Sequence, residues 1–437
     1  MTSEHDVLLL RLARYGVPAV ILVFYLTATQ QFEYTPESVF VALSQVVDLP
    51  VADSGGFTSP LWTGLLMGAR SAGIDPLLAA KVLGLLFAGM AIQTTFLIAM
   101  EIHRGLFPAL SAVLMFAVQS WLVQVAVSGH PFVFGLVLVL GALFFLQRNE
   151  YPLSAILIGL SMLVFWQAVF LVPILAGDAV INSAEKETGV GRAIRAAATA
   201  FGVPALWVAI ASATGKAIIP VMPAFPELQA PEPWTSLLFG LMTVGAVTGM
   251  IIILLRGEKG RRIFLALTPP IATILFMGMA SFSANPELWR VGLPLIFTMG
   301  LFGVRLLVER SGRVLLLFPV LVLLVGLTLV QNQMEMYSST RYQIARTAAE
   351  NRELAAIAVW IRAHAAPDDR ISSERPAVLA YYLGRPVRAL EGQGTDASDL
   401  VVAVRPPTGG AIPLYRLPSV PDAPDVPGVG YAVWRKR

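Results

Sequence analysis

The stretch Leu77–Met100 reads LLAAKVLGLLFAGMAIQTTFLIAM and contains a single charged residue, Lys81. A helix needs about 20 apolar residues to cross a bilayer, so this stretch predicts a membrane span. Of the 437 residues in the chain, 56% are hydrophobic and 14% are charged, whereas about 25% of the residues in a soluble domain are charged. The composition therefore predicts a polytopic α-helical membrane protein.

The charge and cysteine counts exclude several other classes of protein. The net charge is only +3, and basic residues in a membrane protein mark its cytoplasmic loops. We therefore expect the lipid bilayer, and no nucleic acid, as a partner. The chain contains no cysteine, which excludes disulfide bonds, thiolate catalysis and cysteine-ligated metals.

Apolar runs recur through the first three quarters of the chain. Besides Leu77–Met100 they lie at 13–29, 106–127, 131–147, 152–176, 197–214, 235–255, 263–281, 288–307 and 313–331. We expect 152–176 to break into two spans near Phe165-Trp166-Gln167, which gives about eleven spans. Residues 57–73 are short and contain Pro60 and Arg70; they form either a thin span or, as the orientation below favours, a helix at the membrane surface.

Basic residues orient these spans, because cytoplasmic loops are enriched in Lys and Arg. The strongest such loop is RGEKGRR at 256–262. Weaker clusters are Arg11 with Arg14, then Arg305, Arg310 and Arg313, then Lys186, Arg192 and Arg195. With these inside, we expect a multi-pass protein of the inner (plasma) membrane whose N-terminus is cytoplasmic and whose two large outer loops are 31–76 and 215–234.

The character of the chain changes after Gln331. Residues 332–437 are polar and Pro-rich and contain no run long enough to span. We therefore expect a transmembrane domain over 1–331 and a small extracytoplasmic α/β domain over 332–437. Its predicted elements are a helix at 342–365 that buries Leu354, Ile357, Ala358 and Ile361, a helix at 376–383, and strands at 370–372, 399–404 and 430–434.

The first outer loop contains the most informative polar residues. Pro36 and Glu37 fit the first turn of a helix, with Thr35 as the predicted N-cap. A carboxylate there lies near the positive end of the helix dipole, which favours its ionised form. An ionised carboxylate at the membrane face acts as a general base or helps to hold a divalent cation with phosphate. The simpler interpretation is that Glu33 and Glu37 are solvated loop acids.

Four ordered stretches resemble membrane glycosyltransferases of the GT-C fold. They are GFTSPLWTGLL with GIDPLLAAK at 56–81, WRVGLP at 289–294, VWIR followed by AP at 359–367, and AYYLGRPV at 380–387. The resemblance covers nearly the whole chain and is greatest to the bacterial arabinofuranosyltransferase-like and mannosyltransferase-like branch, which uses polyprenyl-phosphate sugars.

This resemblance implies a specific reaction. A polyprenyl-phosphate sugar would bind in a cavity open to the outer leaflet, and an acid of the first outer loop would deprotonate the acceptor hydroxyl of an envelope glycan, glycolipid or protein. Glu37 is the first candidate for this base and Glu33 the second. The phosphate leaving group needs cationic stabilisation, from side chains or from a divalent cation such as Mg²⁺ or Mn²⁺.

The candidate substrate-binding residues are Arg290, Lys81, Arg70, Trp62 and His130. Four of them also have a simpler interpretation. Arg290 would anchor a helix end at the interface, Lys81 would extend to the membrane surface, and Arg70 would be a surface cation. His130 has no second histidine at metal-ligand spacing, which favours an ordinary loop histidine.

Departures from the family pattern leave two functions open. The family has adjacent acids where this chain has Tyr34-Thr35 or Pro36-Glu37, a further acid where it has SGHP at 128–131, and two charged residues where it has FWQAV at 165–169. The chain is either a diverged glycosyltransferase with a new acceptor or a catalytically inactive GT-C-like subunit that binds lipid-linked sugar or scaffolds a membrane protein complex. A transporter is disfavoured, since the spans contain few charges.

Overall fold

The computed structural model describes residues 12–29, 35–47, 59–103, 105–117, 119–164, 168–169, 171–181, 186–214, 298, 300–302, 345–390, 399–404, 411–416 and 430–436. The helices before residue 215 are α1 (Val17–Thr29, after a π-helical turn Leu12–Gly16), α2 (Glu37–Val46), α3 (Pro60–Ser71), α4 (Pro76–His103), α5 (Leu106–Ala117), α6 (Ser120–Ser128), α7 (Phe132–Gln147), α8 (Tyr151–Met162), α9 (Leu171–Ile181) and α10 (Lys186–Thr214).

Two described helices are long and apolar enough to cross a membrane. They are Pro76–His103, which is α4, and Thr188–Ala213 within α10. The bent pair formed by α5 and α6 adds a third if it is one span. These helices agree with the predicted membrane location. The predicted spans at 235–255, 263–281 and 313–331 lie outside the described residues, so the count of eleven stays a prediction.

The predicted span at 106–127 is not one straight helix, because the structure breaks it between α5 and α6 with a bend of 66°. A break frees backbone carbonyl groups, which need new partners in an apolar interior. The Tyr25 hydroxyl donates to the Ala117 carbonyl, and the Gln119 side-chain amide donates to the Met115 carbonyl at 3.0 Å. These two side chains satisfy carbonyl groups at the end of α5, and neither proline nor glycine stands at the break.

The region from 151 to 214 follows the sequence prediction in one respect and departs from it in another. The stretch 152–176 is divided into two helices, since α8 ends at Met162 and α9 begins at Leu171. The predicted span at 197–214 is longer than expected. It begins at Lys186, so Arg192 and Arg195 lie on a helix and not in a basic loop.

The first loop contains two short helices. Helix α3 has 12 residues and therefore rises about 18 Å, too little for a hydrocarbon core of about 30 Å. This length favours the surface helix over a thin span at 57–73. Helix α2 begins at Glu37 with Pro36 at the N-cap position. The predicted N-cap, Thr35, is one residue too early, and its carbonyl instead accepts a hydrogen bond from Asn351 at 2.8 Å.

The C-terminal unit, which we define as the described residues from 345 to 436, is a small α/β structure. Its elements are α11 (345–364), β1 (Ile371–Ser373), α12 (Pro376–Leu383), β2 (Arg388–Ala389), β3 (Leu400–Ala403), β4 (Ala411–Arg416) and β5 (Ala432–Lys436). The strand order is β2-β1-β3-β5-β4. β1 pairs in parallel with β2 and β3, whereas β5 pairs antiparallel with β3 and β4.

The predicted elements of this unit are confirmed, and two strands were missed. The predicted apolar face of α11 is fully buried at Leu354, Ile357, Ala358 and Ile361. The missed strands are β2, which has only two residues, and β4, which contains Pro413 and an irregular register. Both are at the sheet edges, where short strands and proline are tolerated and the sequence pattern is weak.

Two hydrophobic cores organise the described residues. The first joins α1 and α4 through α10, and it includes Leu301 from the helical residues 300–302. The second joins α2, α3 and the first turns of α4 to the C-terminal unit. The first loop and the C-terminal unit therefore lie at the same end of the helices. This arrangement is the one expected if both are on the extracytoplasmic side, as predicted. The predicted domain boundary after Gln331 lies outside the described residues.

Candidate functional site

The candidate base Glu37 contacts the C-terminal unit. Its Oε2 lies 3.2 Å from Nη1 of Arg375, the residue that precedes α12. The Ala377 backbone N–H, in the first turn of α12, also donates to this carboxylate. Glu37 therefore lies at the N-terminal ends of two helices, its own α2 and α12, where helix dipoles favour negative charge.

Burial nevertheless raises the pKa of Glu37 above its ordinary value, because desolvation outweighs the attraction of Arg375 and the Ala377 N–H. The sequence-based expectation that the helix dipole alone would favour the ionised form is therefore incomplete. A carboxylate with a raised pKa is a stronger base than a solvated one, provided that it is ionised at the working pH.

A second carboxylate, Glu350, completes an ion-pair network with Arg375. Glu350 Oε2 lies 3.1 Å from Arg375 Nη2, and Glu350 Oε1 lies 3.2 Å from Arg346 Nε. Burial lowers the pKa of the Arg375 guanidinium, but the carboxylates of Glu350 and Glu37 raise it by more, so the net pKa is raised. Burial and the Glu350 carboxylate also raise the pKa of Tyr431 to about 12, so that its hydroxyl keeps its proton.

A separate contact joins α12 to the start of α4. The Tyr381 hydroxyl donates to Asp75 Oδ1 at 3.1 Å. Asp75 Oδ2 accepts the Leu78 N–H at 2.9 Å, so the same carboxylate caps α4. The rings of Tyr381 and Tyr382 pack against Phe40 of α2, with centroids 5.4 Å and 5.6 Å away. The Tyr-Tyr pair of the AYYLGRPV stretch therefore docks the C-terminal unit on the first loop.

Replacing Tyr381 by Phe should weaken this docking by about 1 kcal/mol, the net contribution of one hydrogen bond. The ring stays against Phe40, so only the contact with Asp75 is lost. Thermal unfolding of the purified protein in detergent, with limited proteolysis of the C-terminal unit, measures the effect. Tyr15→Phe removes an exposed tyrosine hydroxyl and is the matched control. Equal unfolding temperatures for Tyr381→Phe and wild type would contradict this role.

Lys81 lies in the second turn of α4, and its side chain is buried, with 4% exposed. The interpretation that it extends to the membrane surface is therefore wrong. In the same turns, α4 packs closely on the end of α6. A Cβ added to Gly84 would lie 2.5 Å from the Ala126 carbonyl oxygen, and one added to Gly129 would lie 2.7 Å from the Ala80 carbonyl carbon. Only glycine at both positions permits this approach.

The structure places His130 and Trp62 in the interior. His130 follows Gly129, which ends α6 with φ +75°, and its Nδ1 accepts the Phe132 N–H at 3.2 Å. His130 therefore lies in the short connection between α6 and α7, as the loop interpretation has it, but its side chain is buried. Trp62 is buried between Phe87 and Phe134, at centroid distances of 6.2 Å and 6.1 Å. Its Nε1 has no hydrogen-bond partner among the described residues.

Three candidate residues remain, and the structure describes one of them, Arg70. Arg70 is exposed, and its Nη1 donates to the Val46 carbonyl at 2.6 Å, which ties α3 to the end of α2. Glu33 and Arg290 lie outside the described residues. Roles for these three residues in catalysis or donor binding stay predictions.

The described residues do not fit a divalent cation. In the part of the chain that the structure describes, no three His, Asp or Glu side chains come together as metal ligands. The candidate base Glu37 and the neighbouring Glu350 carboxylate instead both pair with the Arg375 guanidinium. A role for Mg²⁺ or Mn²⁺ stays a prediction from the sequence.

Sequence reasoning missed Arg375, Glu350 and Asp75. Asp75 was detectable, because Asp followed by Pro76 is typical of a helix N-terminus. Arg375 gave no such signal, since it is 338 positions away from Glu37 along the chain. A contact this distant appears only when the C-terminal unit is folded against the first loop.

Comparison with solved structures gives matches over nearly the whole chain. The apo structure of ArnT from Cupriavidus metallidurans has a TM-score of 0.56 and 13% identity over 95% of this chain and 96% of that chain. The structure of the same protein bound to undecaprenyl phosphate has a TM-score of 0.55 and 12% identity over 99% and 98%. Both the helical region and the C-terminal unit are therefore matched.

The chain has the GT-C fold. The Archaeoglobus fulgidus oligosaccharyltransferase, in complex with Zn and sulfate, gives a further match with a TM-score of 0.51 and 11% identity, over 88% of this chain and 67% of that chain. At these identities the likeness concerns the GT-C fold alone. No protein-family model and no curated protein sequence matches the chain.

Proposed function

We propose that this protein is a membrane glycosyltransferase that moves a sugar from a polyprenyl-phosphate donor to an envelope glycan, glycolipid or protein. The observation that carries this proposal is the GT-C fold over 99% of the chain, matched to a structure that holds undecaprenyl phosphate. In this proposal the protein lies in the inner membrane, with the first loop and the C-terminal unit on the extracytoplasmic side.

The proposed phosphate-binding residue is Lys81. Lys81 is a buried cation in the second turn of α4, at the end that packs against the C-terminal unit, and a lysine ammonium forms strong charge-assisted hydrogen bonds with phosphate. A polyprenyl phosphate whose chain lies among the helices would bring its anionic group to this depth. The phosphate would take the negative charge that develops on the leaving oxygen, and Lys81 would stabilise it.

The proposed base is Glu37. The acceptor hydroxyl gives its proton to the Glu37 carboxylate while its oxygen bonds to the anomeric carbon of the donor. The bond between that carbon and the phosphate oxygen breaks, and its electron pair leaves with polyprenyl phosphate. Arg375 provides a counter-charge that favours the ionised form of Glu37 before this transfer.

Lys81→Gln tests the donor site. We expect binding of polyprenyl phosphate to weaken by at least about tenfold, which is the effect of losing one charge-assisted hydrogen bond. Binding to the purified protein, followed by tryptophan fluorescence or calorimetry, measures this without any assumption about the sugar. Arg195→Gln removes an exposed cation from α10 and should bind as wild type does. Equal binding by Lys81→Gln and wild type would exclude Lys81 from the site.

A second candidate function is a non-catalytic subunit that binds lipid-linked sugar. The Glu37–Arg375 ion pair favours it, because the candidate base is engaged by the C-terminal unit. The two functions separate in one assay, in which reconstituted protein is given a panel of polyprenyl-phosphate sugars. Release of polyprenyl phosphate supports the enzyme, whereas binding with no release from any donor supports the subunit.

A further inference from the structure

We infer that Arg375 is a positioning residue for Glu37: its guanidinium fixes the direction of the Glu37 carboxylate and supplies its counter-charge from the C-terminal unit. This inference rests on the proposed function, in which Glu37 accepts a proton from the acceptor. It gives the C-terminal unit a part in the reaction, although that unit contains none of the candidate base or donor-binding residues.

An ion pair within the C-terminal unit holds the Arg375 guanidinium in place. Nη2 lies 3.1 Å from Glu350 Oε2, and the Glu350 side chain is only 8% exposed. Glu350 Oε1 is bonded in turn to Arg346. Both oxygens of Glu350 are therefore engaged within the C-terminal unit, and Nη1 of Arg375 is left to face Glu37 of the first loop at 3.2 Å.

The shape of arginine suits this position. A planar guanidinium donates from separate nitrogens in fixed directions, whereas an ammonium group is a point charge with rotatable donors. Bridging Glu37 and Glu350 with two nitrogens at the observed distances uses this planar geometry. Lysine at position 375 would keep the charge but not the two-point bridge.

The groups around Glu37 determine what the loss of Arg375 would do. Three groups act on the Glu37 carboxylate: Arg375 and the Ala377 N–H at the start of α12, and the Glu350 carboxylate of α11. Tyr431, which precedes β5, acts on Arg375. Without Arg375, two carboxylates would face each other with no cation between them. Like charges disfavour ionisation, so Glu37 would hold its proton to a higher pH.

The test is the pH profile of sugar transfer by wild type, Arg375→Gln and Arg375→Lys. We expect the acid limb of the Arg375→Gln profile to move to higher pH, with transfer about tenfold lower on that limb and recovery at more alkaline pH. Arg375→Lys keeps the counter-charge and should return the acid limb towards its wild-type pH, while its maximal transfer rate stays below wild type because the two-point bridge is lost. Arg362→Gln, which removes an exposed arginine from α11, should leave the profile unchanged.

Two results would overturn the inference. One is an Arg375→Gln acid limb at the wild-type position. The other is an equal loss of transfer at every pH that Arg375→Lys does not rescue, which indicates a folding role only.

A measurement without turnover separates this inference from the proposed function. The infrared carboxyl band that disappears in Glu37→Gln reports the protonation of Glu37 directly. Its titration midpoint should rise in Arg375→Gln even if no donor supports transfer, and an unchanged midpoint would overturn the inference. Absence of transfer by wild type with every donor would instead count against the glycosyltransferase function alone.

Discussion

Replacing Glu37 by Gln should lower sugar transfer by about 10²–10⁴-fold, the usual contribution of a general base. Glutamine has the same shape and still accepts a hydrogen bond from Arg375, but its amide cannot take the acceptor proton. The measurement is kcat for release of polyprenyl phosphate by the reconstituted protein. Donor binding should stay close to wild type, because Glu37 does not contact the phosphate in the proposed mechanism.

The control for this variant is Glu101→Gln, which removes an exposed carboxylate near the opposite end of α4. It should transfer sugar at the wild-type rate. If Glu37→Gln keeps transfer within about threefold of wild type while the enzyme is active, Glu37 is not the base. Glu33 would then be the remaining first-loop candidate.

The pH dependence of the wild type follows from the same carboxylate. Burial raises the pKa of Glu37 above the ordinary 4.5, so transfer should fall on acidification at a pH above 4.5, where a solvated glutamate would still be ionised. The effect on stability has the opposite sign. A raised pKa means that the folded state favours the protonated form, so the contribution of Glu37 to stability is lost as pH rises from 4.5 through the folded pKa.

The sequence predicted those features that depend on local pattern. Continuous apolar runs located α4 and α7, and the 3.6-residue period of α11 identified its buried face, because burial of one face leaves a direct trace in the sequence. The bend between α5 and α6 left no such trace. The Tyr25 hydroxyl that bonds to the Ala117 carbonyl at this bend comes from a helix 92 positions away.

The candidate site also combines residues that the local sequence reveals with residues that only a distant contact reveals. Glu37 was recognisable from its place after Pro36 at a helix start. Its partner Arg375 was not, since the ion pair requires the C-terminal unit to pack on the first loop. Lys81 illustrates a different limit. A lysine near a helix end usually extends to water, whereas this one is buried in the turns where Gly84 and Gly129 let α4 and α6 approach closely.

Replacing Gly129 by Ala should destabilise the protein by about 2–5 kcal/mol. An alanine at φ +75° is strained by roughly 1–2 kcal/mol. Its Cβ would also lie 2.7 Å and 2.8 Å from the carbonyl carbon and oxygen of Ala80, and overpacking against backbone typically costs about 1–3 kcal/mol more. Relieving the clash requires α4 to move away from α6, and this movement displaces Lys81 and His130.

The matched control for Gly129→Ala is Gly73→Ala. Gly73 has nearly the same backbone angle, φ +79°, but nothing lies within 4 Å of the position that its Cβ would take. Gly73→Ala therefore measures the backbone strain alone, and the difference between the two variants measures the close approach of α4 and α6. Thermal unfolding in detergent should give the larger loss for Gly129→Ala, and that variant alone should also bind polyprenyl phosphate more weakly. Equal losses of stability would show that α4 adjusts without cost, and that close packing does not hold Lys81 in place.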